Sequence, residues 1–210
     1  MAISTPIQHP CPRCAQPVAT VLHKSFVIED DASLRTIVEN RFHLLECARC
    51  GERRPFEADF LVTNRTRELF IQVITRDEEV AAMIESMREM FGTAPVHARI
   101  VASRDELVEK VRLWSLGLDD VAMEVVKYFM RAQLGDLEGR TQRFFEKAEG
   151  EELVFSVLQP GQPSGEMRLP LRVYHNIIRQ FGTAAHAREY EVDERLARHL
   201  CDQKRGAPKE

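Results

Sequence analysis

At 210 residues the chain has room for one large domain or two small ones, and 44% apolar with 30% charged residues fits a globular protein of rather high charge. A formal charge of −4 argues against a protein that coats nucleic acid non-specifically, because such domains are basic. No apolar run approaches the ~20 residues that cross a bilayer, and Met1-Ala2-Ile3-Ser4-Thr5-Pro6 has neither the basic nor the apolar region of a signal peptide, so no membrane partner is expected and the cytoplasm is the expected location.

Residues 1–10 read as a polar lead-in. Cys11-Pro12-Arg13-Cys14 follows, two thiols spaced so that one tight turn aims both at a single point. Pro17 to Ile28, rich in Val, Thr and Phe, reads as a strand. Asp31 is a candidate cap for a short helix over Leu34 to Asn40, with Leu34, Ile37 and Val38 inward. Arg41 to Glu46 reads as a strand running into the second pair, Cys47-Ala48-Arg49-Cys50. Gly51 then supplies the positive φ that a knuckle often needs. Phe56, Phe60 and Val62 continue in extended form, Asn64-Arg65-Thr66 makes a turn, and Leu69 to Ile74 is a strand apolar on both faces and therefore well buried.

From residue 75 the apolar period changes from two to about 3.6. Thr75-Arg76-Asp77-Glu78 and Ser103-Arg104-Asp105-Glu106 match the capping-box pattern. The first opens a helix with Val80, Met83, Ile84, Met87 and Phe91 on one stripe and Gly92 as its stop; the second opens one with Leu107, Val111 and Trp114 inward. A short strand over His97 to Ala102 lies between them. Asp119 or Asp120 caps a third helix with Val121, Val125, Phe129 and Met130 inward. Glu152 to Gln159 and Glu166 to Val173 read as a β-hairpin around a Pro- and Gly-rich turn, Tyr174 to Phe181 as a short helix, and Asp193 as the cap of a last helix carrying Leu196 and Leu200. The expected architecture is α+β: a zinc-clipped, zinc-ribbon-like antiparallel sheet over residues 1–75, a mainly helical region with a small β-hairpin over 76–203, and a disordered tail over 204–210.

The two cysteine pairs carry the strongest chemistry. In a reducing compartment paired thiols read as metal ligands rather than structural disulfides. Cys11, Cys14, Cys47 and Cys50 are four thiolates, enough to close a tetrahedral zinc shell with no open position for water, so the expected cofactor is structural Zn²⁺ and not a catalytic ion. The thirty-two residues between Cys14 and Cys47 exceed the spacer of compact ribbons, and the strands and helix inside that spacer absorb the extra length. A redox dithiol is disfavoured because neither pair opens a helix of a βαβ unit. His9, close to Cys11, is a candidate replacement ligand, weighed against an exposed histidine on a flexible lead-in. Removing such an ion is expected to unfold the N-terminal half.

Beside this reading stands a resemblance. Cys11-Pro12-Arg13-Cys14, Leu34-Arg35-Thr36-Ile37, Cys47-Ala48-Arg49-Cys50-Gly51, Phe60-Leu61-Val62 and Leu69-Phe70-Ile71 resemble the bacterial CpXC-domain proteins, a family named for two Cys-Pro-x-Cys motifs. Arg99-Ile100-Val101, Glu106 to Lys110 and Gly117-Leu118-Asp119-Asp120 are similar to its longer members. Ala48 departs from the pattern, standing where the family usually has proline. The resemblance implies a zinc-ribbon-like module and no reaction.

Other candidates are weaker. Arg13, Arg49, Arg53 and Arg54 lie on or near the knuckles and are candidate nucleic-acid contacts, but residues 1–75 hold nine basic and nine acidic side chains, and phosphate binding needs a larger excess. Asp119, Asp120 and Glu124 could be imagined as an acid/base set; the competing reading is a helix cap with Glu124 paired to Lys127 one turn on. Met83, Met87, Met90, Met123 and Met130 read as core, or as an adaptable partner surface. Cys201 reads as a bystander. No acid/base or nucleophile set emerges, so the expected function is a non-enzymatic zinc-binding adaptor that contacts another protein, with a nucleic-acid-binding zinc ribbon associated with transcription as the alternative.

Overall fold

The computed structural model describes residues 3–206 apart from 93, 95, 134–140, 160–164, 182–185 and 187. Ten strands and six helices are described. In chain order they are β1 (Ile3–Pro10), β2 (Pro17–Val27), α1 (Asp31–Val38), β3 (Leu44–Glu46), β4 (Arg53–Pro55), β5 (Phe60–Asn64), β6 (Leu69–Val73), α2 (Asp77–Phe91), β7 (His97–Val101), α3 (Arg104–Ser115), α4 (Asp120–Gln133), β8 (Gln142–Glu149), β9 (Glu152–Leu158), β10 (Gly165–Pro170), α5 (Leu171–Phe181) and α6 (Glu194–Gly206). The chain forms two compact units, Met1–Val108 and Glu109–Glu210.

The first unit is built on a five-stranded sheet in the order β1-β2-β5-β6-β7. The sheet is mixed. The β1–β2 and β5–β6 pairs are antiparallel, whereas β2–β5 and β6–β7 are parallel. This corrects the expected antiparallel sheet. A parallel neighbour needs a crossover, and the chain supplies two: α1 with the β3–β4 hairpin between β2 and β5, and α2 between β6 and β7. Because β7 pairs with β6 along its whole length, the unit runs beyond residue 75 and takes in α2. Residues 1–10 are likewise strand for most of their length, with Ile3–Pro10 paired to Pro17–Ser25, and not a lead-in. Pro6 and Pro10 on this edge remove donors and blunt it against further pairing.

The sheet's core follows the period-two pattern. Leu69, Ile71 and Val73 of β6 are buried, as are Phe60 and Val62 of β5, while Phe70 and Gln72 between them are half-buried. The helix starts are set by local chemistry. Asp30, one residue before the expected cap, accepts the Ser33 N–H (2.8 Å), and the Ser33 hydroxyl accepts the Asp30 N–H (2.9 Å), so α1 opens on a reciprocal box and buries Ile37. The Thr75–Glu78 box does not form. Asp59 takes both the N–H and the hydroxyl of Thr75 (2.7 Å each), and α2 starts from Arg76 without a side-chain cap.

The second unit pairs helices with an antiparallel sheet in the order β10-β9-β8. The expected hairpin is therefore one strand short: β8, whose burial alternates only weakly, was not anticipated. The second expected strand ends at Pro170, where α5 begins. Leu113, Val121, Met123, Val125, Phe145, Leu153 and Phe155 belong to one buried cluster that also includes Tyr174, Ile177 and Leu200. Asp193 caps α6 as expected, accepting the Leu196 N–H (3.2 Å). That helix continues to Gly206, so residues 204–206 are helical and not a disordered tail; 207–210 lie outside the described residues, as do most of the Pro160–Gly165 turn and Gly182.

Asn64 ties β5 to the rest of the first unit. Its amide donates to the Ile28 carbonyl (2.8 Å), and its Oδ1 accepts the Arg67 N–H (2.7 Å) and the Thr66 hydroxyl (3.1 Å). Asn64→Ala leaves these groups without their partner in a buried setting and is expected to cost about 2 kcal/mol, read as a lowered urea midpoint with an unchanged m-value.

Candidate metal centre

The two cysteine pairs sit on two knuckles with the same backbone plan. In the first, the Cys11 N–H donates to the Gln16 carbonyl and the Ala15 N–H to the Cys11 carbonyl, both at 2.8 Å. In the second, the Cys47 N–H donates to the Glu52 carbonyl and the Gly51 N–H to the Cys47 carbonyl, both at 2.9 Å. The residue after each second cysteine is left-handed, Ala15 at φ 57° and Gly51 at φ 70°. The glycine was legible in sequence; the alanine was not, since Ala rarely takes this backbone.

The first knuckle is the tip of the β1–β2 hairpin, and the second is the tip of β3–β4. These hairpins belong to separate sheets. They meet through side chains: the Thr20 hydroxyl donates to the Leu44 carbonyl (2.8 Å), and the His23 N–H donates to His43 Nε2 (3.0 Å). The tips bring Cys11, Cys14, Cys47 and Cys50 together, with all four Sγ atoms within 4.8 Å of one another. Cys11 Sγ lies 3.6 Å from Cys50 Sγ, and Cys14 Sγ 3.7 Å from Cys47 Sγ. All four are free cysteines, and one sulfur pair in each direction crosses between knuckles. Four soft donors converging from two turns could hold a metal ion.

The electrostatics of the group fit that use. Backbone N–H groups of Cys50 and Arg49, with help from the neighbouring thiols and against burial, bring the Cys47 thiol down to about 7. The Cys50 thiol goes the other way: the Glu52 N–H pulls it down, but burial and the three adjacent sulfurs push it up to about 12. One thiolate forms easily and the next is opposed by it, which is how a compact set of thiols behaves until a cation neutralises them.

Around the sulfurs lies a small apolar shell. Cys11, Val18, Leu45 and Cys47 form a buried cluster with Phe56 against it. Phe56 stacks on His43 (centroids 5.1 Å) and His9 stacks on Phe56 (6.0 Å). His9 is thus an aromatic neighbour, and the four-sulfur group closes without it. His43 is buried and left-handed (φ 46°), and burial pulls its imidazole down to about 4. It is a joint between the hairpins that sequence reasoning passed over, because an interior histidine has no periodic signature.

Of the candidate nucleic-acid contacts, Arg13, Arg49 and Arg54 are exposed on or beside the knuckles, and Arg53 is ion-paired to Glu46 (2.8 Å). Phe60 is buried against Phe42 and His43, and Phe70 packs edge-on to Phe91, so neither is free for base stacking. Met87, Met123 and Met130 are core, while Met90 is 63% exposed.

The carboxylates Asp119, Asp120 and Glu124 separate into a cap and a buried charge cluster. Asp119 Oδ1 accepts the Ala122 N–H (2.8 Å), capping α4. Inside the second unit Lys110 Nζ lies 3.4 Å from Asp120, 3.2 Å from Glu124 and 2.7 Å from the Val192 carbonyl. Lys127 Nζ lies 2.7 Å from Glu109 and 2.8 Å from Glu124. Glu109 also accepts the Phe145 N–H (2.7 Å). Sequence patterning anticipated the Glu124–Lys127 pair and missed Glu109 and Lys110, which sit between apolar neighbours on α3 and have no local mark of burial.

The family model described as CpXC protein matches residues 10–127, more than half of the chain and both cysteine pairs. No curated protein and no solved structure matches.

Two predictions arise from this geometry. Nothing lies within 4 Å of a Cβ added at Gly51, so Gly51→Ala tests the backbone alone and is expected to cost about 1 kcal/mol, whereas Ala15→Gly is expected to gain a similar amount; thermal melts of the metal-loaded protein measure both. In the buried cluster, burial raises the Glu109 carboxyl above 4.5, with Lys127 and Lys110 opposing. The folded state then holds a proton that the unfolded state has released, so stability falls as pH rises from about 4.5 through the raised native value. Glu109→Gln is expected to flatten that slope in urea midpoints taken across the range.

Proposed function

The chain belongs to the CpXC protein family, and from its four converging thiols we propose that it is a zinc-carrying, non-enzymatic adaptor that contacts another protein. The observation that carries the metal half of this reading is the sulfur spacing. Zn–S bonds of ~2.3 Å set a tetrahedral edge of about 3.8 Å, and the sulfurs stand 3.6 and 3.7 Å apart across the knuckles. With Cys11, Cys14, Cys47 and Cys50 all engaged, a tetrahedral ion has no position left for water or substrate, and four thiolates quench its Lewis acidity. The ion then acts as a zinc-ribbon-like clip that joins the two hairpins. A reducing compartment such as the cytoplasm keeps these thiols available. No described helix is long and apolar enough to cross a membrane.

The adaptor half is supported by the chemistry of the remaining charged groups. The buried carboxylates of the second unit are tied to lysines and backbone, an arrangement suited to fixing one packing of the fold. A transcription-associated, nucleic-acid-binding ribbon is favoured by one observation, the exposure of Arg13, Arg49 and Arg54 near the knuckles. The Arg53–Glu46 pair and the even charge balance of residues 1–75 weigh against it.

The purified chain is expected to carry one zinc, and chelation is expected to loosen the β3–β4 hairpin and the β1–β2 tip while β5, β6 and β7 keep their amide protection, measured by hydrogen exchange. This is narrower than loss of the whole N-terminal half, because Val62, Ile71 and Val73 are fully buried in the sheet and lie outside the apolar cluster around the sulfurs. Size-exclusion chromatography and co-purification at native expression test the adaptor: a stoichiometric protein partner supports it, and a monomer with none overturns it. A low-salt gel shift that detects no complex disposes of the ribbon alternative.

A further inference from the structure

The second knuckle hairpin does more than carry two cysteines: it forms one wall of a cleft in the first unit. The cleft has a volume of about 550 Å³ and is lined by Ala32, Arg35 and Thr36 of α1, Arg41 of the turn after it, Leu44 and Glu46 of β3, and Arg53 of β4. That volume is within the range of ligand sites. Its lining holds three guanidinium groups and one carboxylate, with Glu46 and Arg53 side by side on the hairpin wall, and apolar atoms from Ala32 and Leu44.

The arginines are not equivalent. Arg53 pairs with Glu46 and Arg41 with Glu39, each at 2.8 Å, and all four side chains are at least half exposed. Such exposed pairs are worth little and exchange readily for a better partner. Arg35, also exposed, has no side-chain partner among the described residues. The turn that presents Arg41 is fixed from behind by an arginine 4% exposed: Arg104 donates to the Asn40 and Phe42 carbonyls and to Asn40 Oδ1, and lies over the Phe42 ring at 3.8 Å. A buried cation is costly. Here it holds the left-handed Asn40 (φ 60°) and the start of the strand that leads to the cysteines.

We propose that this cleft between α1 and the β3–β4 hairpin is a docking site for an acidic peptide segment of a partner protein. Charge complementarity and the apolar part of the lining select such a segment: carboxylates meet Arg35, Arg41 and Arg53, and an aliphatic side chain meets Leu44 and Ala32. A nucleic-acid strand fits less well. It needs a continuous basic track, whereas the lining here is three arginines with Glu46 and apolar side chains among them. The proposal names the partner chemistry for the adaptor reading and rests on it.

The test uses the full, zinc-loaded chain and three probes: a fluorescein-labelled peptide of alternating glutamate and leucine, its glutamine counterpart, and a labelled single-stranded oligonucleotide. Saturable anisotropy is expected for the acidic peptide at low salt, weakening as salt rises, with the glutamine peptide at least about tenfold weaker. Arg35→Glu, an exposed change confirmed folded by circular dichroism, is expected to weaken binding roughly fivefold or more, while Arg65→Glu on the β5–β6 turn leaves it unchanged. No saturable binding, equal loss in both variants, or an oligonucleotide that binds as tightly and is lost with Arg35→Glu overturns the proposal. The adaptor reading fails separately. If the chain co-purifies with a stoichiometric partner while the acidic peptide does not bind, only the cleft assignment falls; if the peptide binds through Arg35 and no partner co-purifies, the cleft stands and the adaptor reading falls.

Discussion

Two hairpins with no shared ladder meet at four sulfur atoms, and the arrangement of the first unit's cysteine end depends on that meeting. β3 and β4 are three residues each and pair only with one another. A lone hairpin of that size does not hold in water. Its attachments to β2 are a threonine hydroxyl, a histidine ring and the apolar contacts around Val18, Leu45 and Phe56. The zinc proposed for Cys11, Cys14, Cys47 and Cys50 would supply what the ladder lacks, since structural zinc is worth ~10–16 kcal/mol of apparent binding energy in small peptides. Val62, Ile71 and Val73 of the central strands are fully buried outside the apolar cluster around the sulfurs.

Both units also bury charge, in different ways. The second unit encloses carboxylates and ammonium groups that satisfy one another, with Glu109 and Lys110 bonded in addition to backbone at Phe145 and Val192. Removing one partner from such a cluster is far more damaging than the cluster is stabilising, so its value lies in fixing one arrangement of α3, α4 and β8. Arg104 in the first unit gives its hydrogen bonds to an asparagine side chain and to carbonyls of the turn around the left-handed Asn40, with the charges of Glu57 and Asp105 acting on it from nearby. Carbonyl dipoles just after α1 add to the attraction of those two carboxylates, and the ring of Phe42 covers the guanidinium face.

The features readable in sequence were those with a local cause. Paired cysteines at fixed spacing, Gly51 after the second pair, Asp119 and Asp193 as caps and the period-two burial of β6 each depend on a few adjacent residues. The errors arose where distant residues decided the outcome. Ile3–Pro10 is a strand because Pro17–Ser25 offers it a partner, not because its own composition demands it. The Thr75 box was lost to Asp59, sixteen residues back. The parallel β2–β5 and β6–β7 pairings follow from crossovers whose direction no strand encodes. The cleft was illegible for the same reason: Arg35, Arg41 and Arg53 come from three elements and look like ordinary surface charge until the fold brings them together. Arg53 had been grouped with the knuckle arginines; its ion pair with Glu46 and its place in the cleft wall separate it from Arg13 and Arg49.

This placement joins the proposed roles of metal and cleft in one element. β3 and β4 carry Cys47 and Cys50 at their tip and Leu44, Glu46 and Arg53 along their length. Whatever fixes the tip therefore fixes the wall, so on the proposed reading an ion that does no chemistry would decide whether a partner finds its surface formed. A scaffold ion acts through shape, and shape here is a matter of where a six-residue ribbon lies against α1. Arg104 pins the near end of that ribbon through the Asn40–Phe42 turn, and the sulfurs pin the far end. Between two fixed ends a strand of three residues has little freedom left, so on this reading the backbone that carries Leu44, Glu46 and Arg53 is set before a ligand arrives, and a ligand binding there loses less to ordering of the chain.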